Sequence, residues 1–345
     1  MLHLPYCEFY ITNVCNLNCE NCNRCNNFNF SGHASWSNDN VPIRQWSQIL
    51  SLDEIGILGG EPLLHPHFNS WLQGIADLWP HSKIKIITNG TQWHRWPTLY
   101  TVLRRYQGRV WLDVNCHNID HYDNIVSQVS ALLDHASPVM QLPNDFAQQW
   151  RDSYNRVRDA TWPDCDDPGD FHALDQRIRY ECQSQHRLDP DCLAKMLGRL
   201  QLRDRHGICA EISLADQFHE STVIYHAETG TVSLHRSDPQ RAIAVCDFKT
   251  CPHIINGKLY KCGPVGILPD FIQQFDVDVP HDQLRLIQQY QAAEPSWDHD
   301  DLRDFVERIR SAVVIPQCSL CPDQYVTKKF QSSTKKIMLR RRSTA

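Results

Sequence analysis

The stretch Phe9-Tyr10-Ile11-Thr12-Asn13-Val14-Cys15-Asn16-Leu17-Asn18-Cys19-Glu20-Asn21-Cys22 runs from an apolar, β-branched segment directly into three cysteines spaced C-x3-C-x2-C. Phe9 to Val14 reads as a first strand that ends where the cysteines begin. Three thiolates on one short loop can hold three irons of a cubane 4Fe–4S cluster and leave the fourth iron open, whereas four-cysteine ligation closes it. Cys25 follows closely enough to offer a fourth ligand. A zinc knuckle is the other reading, because closely spaced cysteines also suit tetrahedral zinc.

Outward from this loop, short apolar runs alternate with amphipathic stretches as far as about residue 143. Ile55–Gly60, Lys83–Thr88, Arg109–Val114 and Pro138–Leu142 read as further strands. Phe68–Leu78, Trp96–Tyr106 and Tyr122–Ala136 carry apolar residues at helical spacing between them. Strand-helix repeats of this kind predict a parallel sheet with right-handed crossovers. Three of the strands end in polar or glycine-rich segments: Gly59-Gly60-Glu61-Pro62, Thr88-Asn89-Gly90 and Val114-Asn115-Cys116-His117-Asn118.

The whole chain has 345 residues, 41% hydrophobic and 21% charged, with a formal charge of -6, which excludes disorder as its main theme. No apolar run reaches the roughly 18 residues that a bilayer span needs. Met1 to Glu8 has neither the basic start nor the long apolar stretch of a signal peptide, so no membrane association and a reducing cytoplasm are expected. Fifteen cysteines in such a setting point to metal ligation rather than disulfides. The slightly acidic total argues against nucleic-acid binding through bulk charge. Only the basic end of the chain, with Lys328-Lys329, Lys335-Lys336 and Arg340-Arg341-Arg342, offers a contact for phosphates, and residues 328–345 read as a flexible tail.

The segment 145–220 is charged and proline-broken, with Leu174–Cys182 and Cys192–Arg203 as its helices, and is left open between barrel and insertion. Thr222–His226 and Thr231–His235 form a hairpin around Gly230. A second cysteine group follows: Cys246 and Cys251, then the glycine turn Asn256-Gly257, then Cys262, and finally Cys318-Ser319-Leu320-Cys321. Four of these thiols can close a metal site, with zinc again as an alternative.

Together, the three-cysteine loop, the Gly-Gly-Glu-Pro segment and the Thr-Asn-Gly strand end resemble the radical S-adenosylmethionine superfamily, in matching order along successive strands. The second cysteine group resembles that family's twitch module, a shortened SPASM domain that binds one auxiliary 4Fe–4S cluster. The resemblance implies a partial (β/α)6 TIM-like barrel over residues 1–220, an auxiliary-cluster module over 221–327 and the basic tail beyond. It implies that Cys15, Cys19 and Cys22 hold the first cluster and that S-adenosylmethionine chelates its open iron. Gly59, Gly60 and Glu61 would meet the methionyl group, Asn89 would line the cavity and Asn115 would meet the ribose or carboxylate. Thr88, Cys116 and His117 are the candidates near substrate, with a strand-ending turn and core packing as the competing readings of Thr88 and His117. Cys246, Cys262, Cys318 and Cys321 would hold the auxiliary cluster, with Cys251 the competitor of Cys246. One position departs from the family pattern: Asn21 stands where an aromatic residue usually packs near the adenine, and Phe28 or Phe30 are the alternatives.

The activity implied is reductive cleavage of S-adenosylmethionine to a 5'-deoxyadenosyl radical that abstracts a substrate hydrogen atom. An all-cysteine auxiliary cluster suits removal of an electron from the substrate radical, hence dehydrogenation of a small polar metabolite by an oxidoreductase-like enzyme. Peptide modification, including sulfatase-maturase-like chemistry, and nucleotide modification are the enzymatic rivals. A low-potential donor such as flavodoxin or ferredoxin would supply the electron. A zinc-binding interaction protein is the non-enzymatic alternative.

Overall fold

The computed structural model describes residues 1–133, 137–138, 199–215, 217–324, 326–329 and 335–342. They form a mixed α/β fold that divides into two compact units, one of residues 1–86 and 218–345 and one of residues 87–217.

In the first unit, β1 (Leu2–Tyr10) pairs in parallel with β2 (Leu50–Leu58), in register from Leu2↔Leu50 to Tyr10↔Leu58. The Lys83–Ile86 part of β3 (Lys83–Thr88) continues the parallel run on β2. β1 therefore starts seven residues before the strand expected at Phe9 and stops at Tyr10. It stops because the Thr12 hydroxyl accepts the Val14 N–H at 3.0 Å and turns the chain away from the strand direction. Helix α1 (Trp36–Ile49) leads into β2, and α2 (Phe68–Leu78) has the bounds its apolar spacing predicts. Phe68, Trp71, Leu72, Ile75 and Ala76 form its buried stripe.

The second unit carries α3 (Leu99–Arg105), β4 (Val110–Cys116), α4 (Tyr122–Leu132), β5 (Ser137–Pro138), β6 (Arg199–Arg203) and β7 (Cys209–Leu214). Its strand order is β4-β7-β6-β5. The neighbour of β4 is β7, in parallel register from Leu112↔Ala210 to Cys116↔Leu214, rather than the run beginning at Pro138. The expected helix Cys192–Arg203 is wrong over its last five residues, which form β6 antiparallel to β7. Leu200 and Leu202 are buried there in alternation with polar residues, a period-2 pattern no helix can satisfy. The β6–β7 turn is closed by Asp204, whose carboxylate accepts the His206 and Ile208 N–H groups and the Tyr100 hydroxyl. The expected helix Leu174–Cys182, residues Val139–Leu142 of the expected fifth strand, and Cys165, Cys182 and Cys192 lie outside the described residues.

The later part of the first unit starts with β8 (Gln217–His219) and the hairpin of β9 (Val223–His226) and β10 (Thr231–Leu234), as its turn signal predicts. Helix α5 (Pro239–Ala244) is capped by Asp238. The hairpin of β11 (His253–Ile255) and β12 (Lys258–Tyr260) then joins the sheet, because β11 pairs in parallel with β1 at Glu8↔His253. Its turn has φ of 50° at Asn256 and 75° at Gly257, the pair of left-handed residues a two-residue hairpin favours. Trp46, fully buried in α1, holds that turn by donating its indole N–H to Gly257 O at 2.9 Å. Helices α6 (Gly263–Gln274), α7 (His281–Gln289) and α8 (His299–Arg310) follow, and β13 (Thr327–Lys329) pairs with β8. Among the described residues no helix is long and apolar enough to cross a membrane.

Candidate functional site

The cysteine loop is zipped at its base. Asn13 N–H donates to Gly32 O, Ala34 N–H donates to Ile11 O, and the Thr12 hydroxyl meets His33 Nδ1 at 2.8 Å. Inside it, the N–H groups of Cys22, Cys25 and Phe28 donate to the carbonyls of Cys19, Cys22 and Cys25, a chain of three-residue turns that folds the loop on itself. Cys19 is buried, and Cys15 and Cys22 are half-buried. Burial, then Cys22 and Glu61, push the Cys15 thiol up to about 12. Burial, then Cys22 and Cys15, likewise raise Cys19. The three sulfurs thus lie close enough to feel one another, and the Leu17 N–H already points at Cys15 Sγ from 3.4 Å. Grouped thiols that disfavour one another's ionisation are the donor set a thiolate-binding metal or cluster relieves, with release of protons.

The Gly-Gly-Glu segment is the floor of this loop. Gly60 N–H donates to Thr12 O at 2.7 Å and Glu61 N–H to Val14 O at 2.8 Å, so the β1–β2 ladder continues past the strand ends. A side chain on Gly59 would meet Thr12 O at 2.5 Å, and one on Gly60 would collide with Val14 O. The glycines are therefore required first by the approach of the cysteine loop itself. Glu61 is completely buried, accepts the Leu63 N–H at 3.0 Å and raises the Cys15 pKa, which puts its carboxylate within electrostatic range of the first sulfur.

Cys25 is fully buried with φ of 59°. Phe28 and Phe30 are also buried, with ring centroids 5.2 and 5.6 Å from Phe271, so both are spent on packing rather than open to an adenine.

The second cysteine group folds into one narrow cavity. Cys246, Cys262, Cys318 and Cys321 line it, with Phe248, Pro264 and Val265. Cys246 follows α5, Cys262 precedes the first turn of α6, and Cys318 and Cys321 sit within and just after the short 3-10 turn Pro316–Leu320. Burial raises the Cys262 thiol to about 12, with Cys246 and Cys318 adding to the rise and Lys261 opposing it. Burial, then Cys262, Cys246 and Cys318, raise Cys321. Phe248 N–H points at Cys246 Sγ from 3.3 Å, and Thr222 Oγ1 lies 3.6 Å from Cys321 Sγ.

Cys251 is elsewhere. Its donor atom lies with those of Glu8 and His253, all within 4.8 Å of one another. Glu8, buried in β1, accepts the Tyr6 hydroxyl at 2.7 Å and stands 2.7 Å from His253 Nε2 and 3.3 Å from the Arg24 guanidinium. Burial alone would raise Glu8, but His253, Arg24 and Tyr6 together hold its carboxyl down at about 2. Sequence reasoning missed this network. Its only local trace is a carboxylate placed within a run of buried strand residues.

In the second unit, Thr88 and Asn89 are buried and close a strand-ending turn. Thr88 Oγ1 accepts the Gly90 N–H, and Asn89 Oδ1 accepts the Thr91 N–H and hydroxyl. Asn115 is half-buried on β4 opposite Ser213. Cys116 Sγ donates to Asn118 O, and His117 Nδ1 lies 2.8 Å from Ala215 O, which fixes the ring.

No protein-family model and no curated protein matches the chain. Among solved structures it is similar to BtrN in complex with AdoMet and 2-DOIA, at 20% identity and a TM-score of 0.27, over 33% of this chain and 46% of that one. The match spans less than half of that protein, and the reading of this chain rests on its own residues.

Proposed function

We propose that this chain is a radical S-adenosylmethionine enzyme on a partial barrel, with an auxiliary cluster in its second cysteine site. The observation that carries the reading is the grouping of Cys15, Cys19 and Cys22 on the loop that leaves β1, built on Gly59, Gly60 and Glu61. In this reading those three thiolates hold a 4Fe–4S cluster and leave one iron for the cofactor. With S-adenosylmethionine bound, the cluster supplies one-electron cleavage of the sulfonium, the source of a hydrogen-abstracting species.

The chain's own residues position and shield. The buried Glu61 carboxylate would accept a hydrogen bond from the cofactor ammonium, and the glycines keep the floor free of side chains. Asn89 and Asn115 are proposed as further cofactor contacts. Thr88, Cys116 and His117 are proposed on the substrate side. Cys246, Cys262, Cys318 and Cys321 would hold a second cluster, which would supply an acceptor for one electron from the substrate radical; this favours dehydrogenation of a small polar metabolite. Their shared cavity supports Cys246 over Cys251 as the first ligand.

Anaerobic reconstitution tests the reading. A brown protein with about eight irons per chain that releases 5'-deoxyadenosine from S-adenosylmethionine on reduction is expected. A colourless protein with stoichiometric zinc and no cleavage would overturn it in favour of a structural metal.

A further inference from the structure

The basic end of the chain, expected as a flexible tail, is docked over residues 335–342. Ile337 bridges Phe28 in parallel, with Asn29 N–H donating to Ile337 O and Ile337 N–H to Asn27 O. Asn29 also grips Leu339 through its side chain, donating to Leu339 O at 3.2 Å and accepting the Leu339 N–H at 2.9 Å. Arg341 bridges Phe275 and donates to Asn29 O and Ser31 Oγ, and Arg342 donates to Phe275 O. These partners belong to two elements, the far side of the cysteine loop and the end of α6, so the segment straps one to the other.

The strap delivers one charged group to the cysteines. Lys336 is half-buried and its ammonium donates to Asn26 O. The Asn26 carboxamide in turn donates to Asn13 O at 2.7 Å and lies 3.8 Å from Cys22 Sγ. Burial lowers the Lys336 pKa, while Cys15, Cys22 and Cys19 all act in the opposite sense, as groups facing the ammonium must. A half-buried cation held on Asn26 O, one residue link from Cys22 Sγ, is not placed there for solubility, since exposed lysines elsewhere do that at no desolvation cost.

We propose that residues 335–342 form a strap over the cysteine loop that makes Lys336 the positioning cation of the three-cysteine site, stabilising the more negative, reduced state of the cluster bound there. The proposal rests on the reading that Cys15, Cys19 and Cys22 hold a cluster. The physics is Coulombic: reduction adds a negative charge to a site already carrying thiolates, and a fixed positive charge in a partly buried setting offsets it.

The test is a redox titration followed by electron paramagnetic resonance on reconstituted holoprotein, comparing the wild type with Lys336→Met and Lys336→Arg. Lys336→Met should keep its iron and shift the first cluster to a more negative potential, by about tenfold in the one-electron equilibrium or roughly 59 mV. Lys336→Arg should return most of that shift, and the auxiliary cluster should not move in either variant. Loss of iron from Lys336→Met that Lys336→Arg restores also supports the cation. An unchanged potential in Lys336→Met, or equal loss of iron in both variants, overturns it. If the wild type itself assembles no cluster on the cysteine loop, it is the reading of that site that fails. The docking of the strap is then read separately, from slow hydrogen exchange at the Asn29 and Ile337 amides in the metal-free protein, and fast exchange there overturns the strap.

Discussion

The two cysteine sites are built from the same materials and differ in one donor. Both bury their thiols far enough to oppose ionisation, both aim a backbone N–H from two residues downstream at a sulfur, and both carry a lysine, Lys336 at the first and Lys261 at the second. The first has Cys15, Cys19 and Cys22 near the buried Glu61, and the second has four thiols in a cavity that Phe248, Val265, Thr222 and Lys261 also line. Burial and hydrogen bonding therefore do not distinguish the site proposed as open from the one proposed as closed. The count of sulfurs, and what stands where another would be, does. At the first site that neighbour is Glu61 on a glycine floor, which the proposed reading assigns to an ammonium group; at the second a fourth cysteine takes that place.

The sharpest way to break this contrast is to remove ligands one site at a time. Cys19→Ala should abolish 5'-deoxyadenosine release altogether, while Cys318→Ala/Cys321→Ala should keep that cleavage and lose about four irons. Iron analysis and product assay on the two reconstituted variants check both outcomes. Cleavage surviving in Cys19→Ala, or an unaltered iron count in the double variant, would erase the distinction between open and closed sites.

A smaller effect probes what joins the two. Arg24, from the first loop, and Cys251 and His253, from the segment leading to Cys262, converge on Glu8 of β1. Glu8→Gln removes the carboxylate of this network and leaves the half-buried Arg24 guanidinium uncompensated, a loss of about 3 kcal/mol. The pH dependence has a definite sign. With its carboxyl lowered from 4.5 to about 2, Glu8 contributes fully above pH 4.5, and its contribution disappears as pH falls from there to about 2. Urea unfolding across that range should therefore show an acid loss of stability in the wild type that is reduced in Glu8→Gln. Equal acid curves would mean that the network adds nothing to stability.

How much of this was legible before the fold was known depends on the range of the interaction. Lys83–Thr88 and Phe68–Leu78 were readable to the residue because alternation and helical spacing are local. The turn at Asn256-Gly257 was readable because few residues tolerate two left-handed positions in succession. The pairing of β7 with β4 was not, although Ile208, Ala210 and Ile212 alternate with polar neighbours, because the charged composition around them masked a short strand. At the sites, spacing alone grouped Cys15, Cys19 and Cys22, but it left Cys246 and Cys251 undecided, since the four residues between them carry no sign of which faces Glu8. Lys336 was least legible of all. A basic run without periodicity looks like a solvated tail, and partners far away in sequence, Asn26 to Asn29, Ser31 and Phe275, hold it in place.

The smallest effect tests whether the closed site is tuned independently of the open one. Thr222 is buried, and its hydroxyl lies 3.6 Å from Cys321 Sγ. Once that sulfur is a thiolate it can only accept, so the hydroxyl becomes the donor. Hydrogen bonds to cluster sulfurs stabilise the reduced state and raise the potential. Thr222→Val keeps the volume and removes one such bond, worth about 0.5–1.5 kcal/mol. The auxiliary cluster should then move to a more negative potential, by no more than about the 59 mV of a tenfold change, while the first cluster stays where it was. Thr222 approaches Cys321 from just before β9, whereas Lys336 reaches the first loop through the strap, so the two adjustments share no hydrogen bond. A shift of both clusters in Thr222→Val would mean that the sites are electrostatically one.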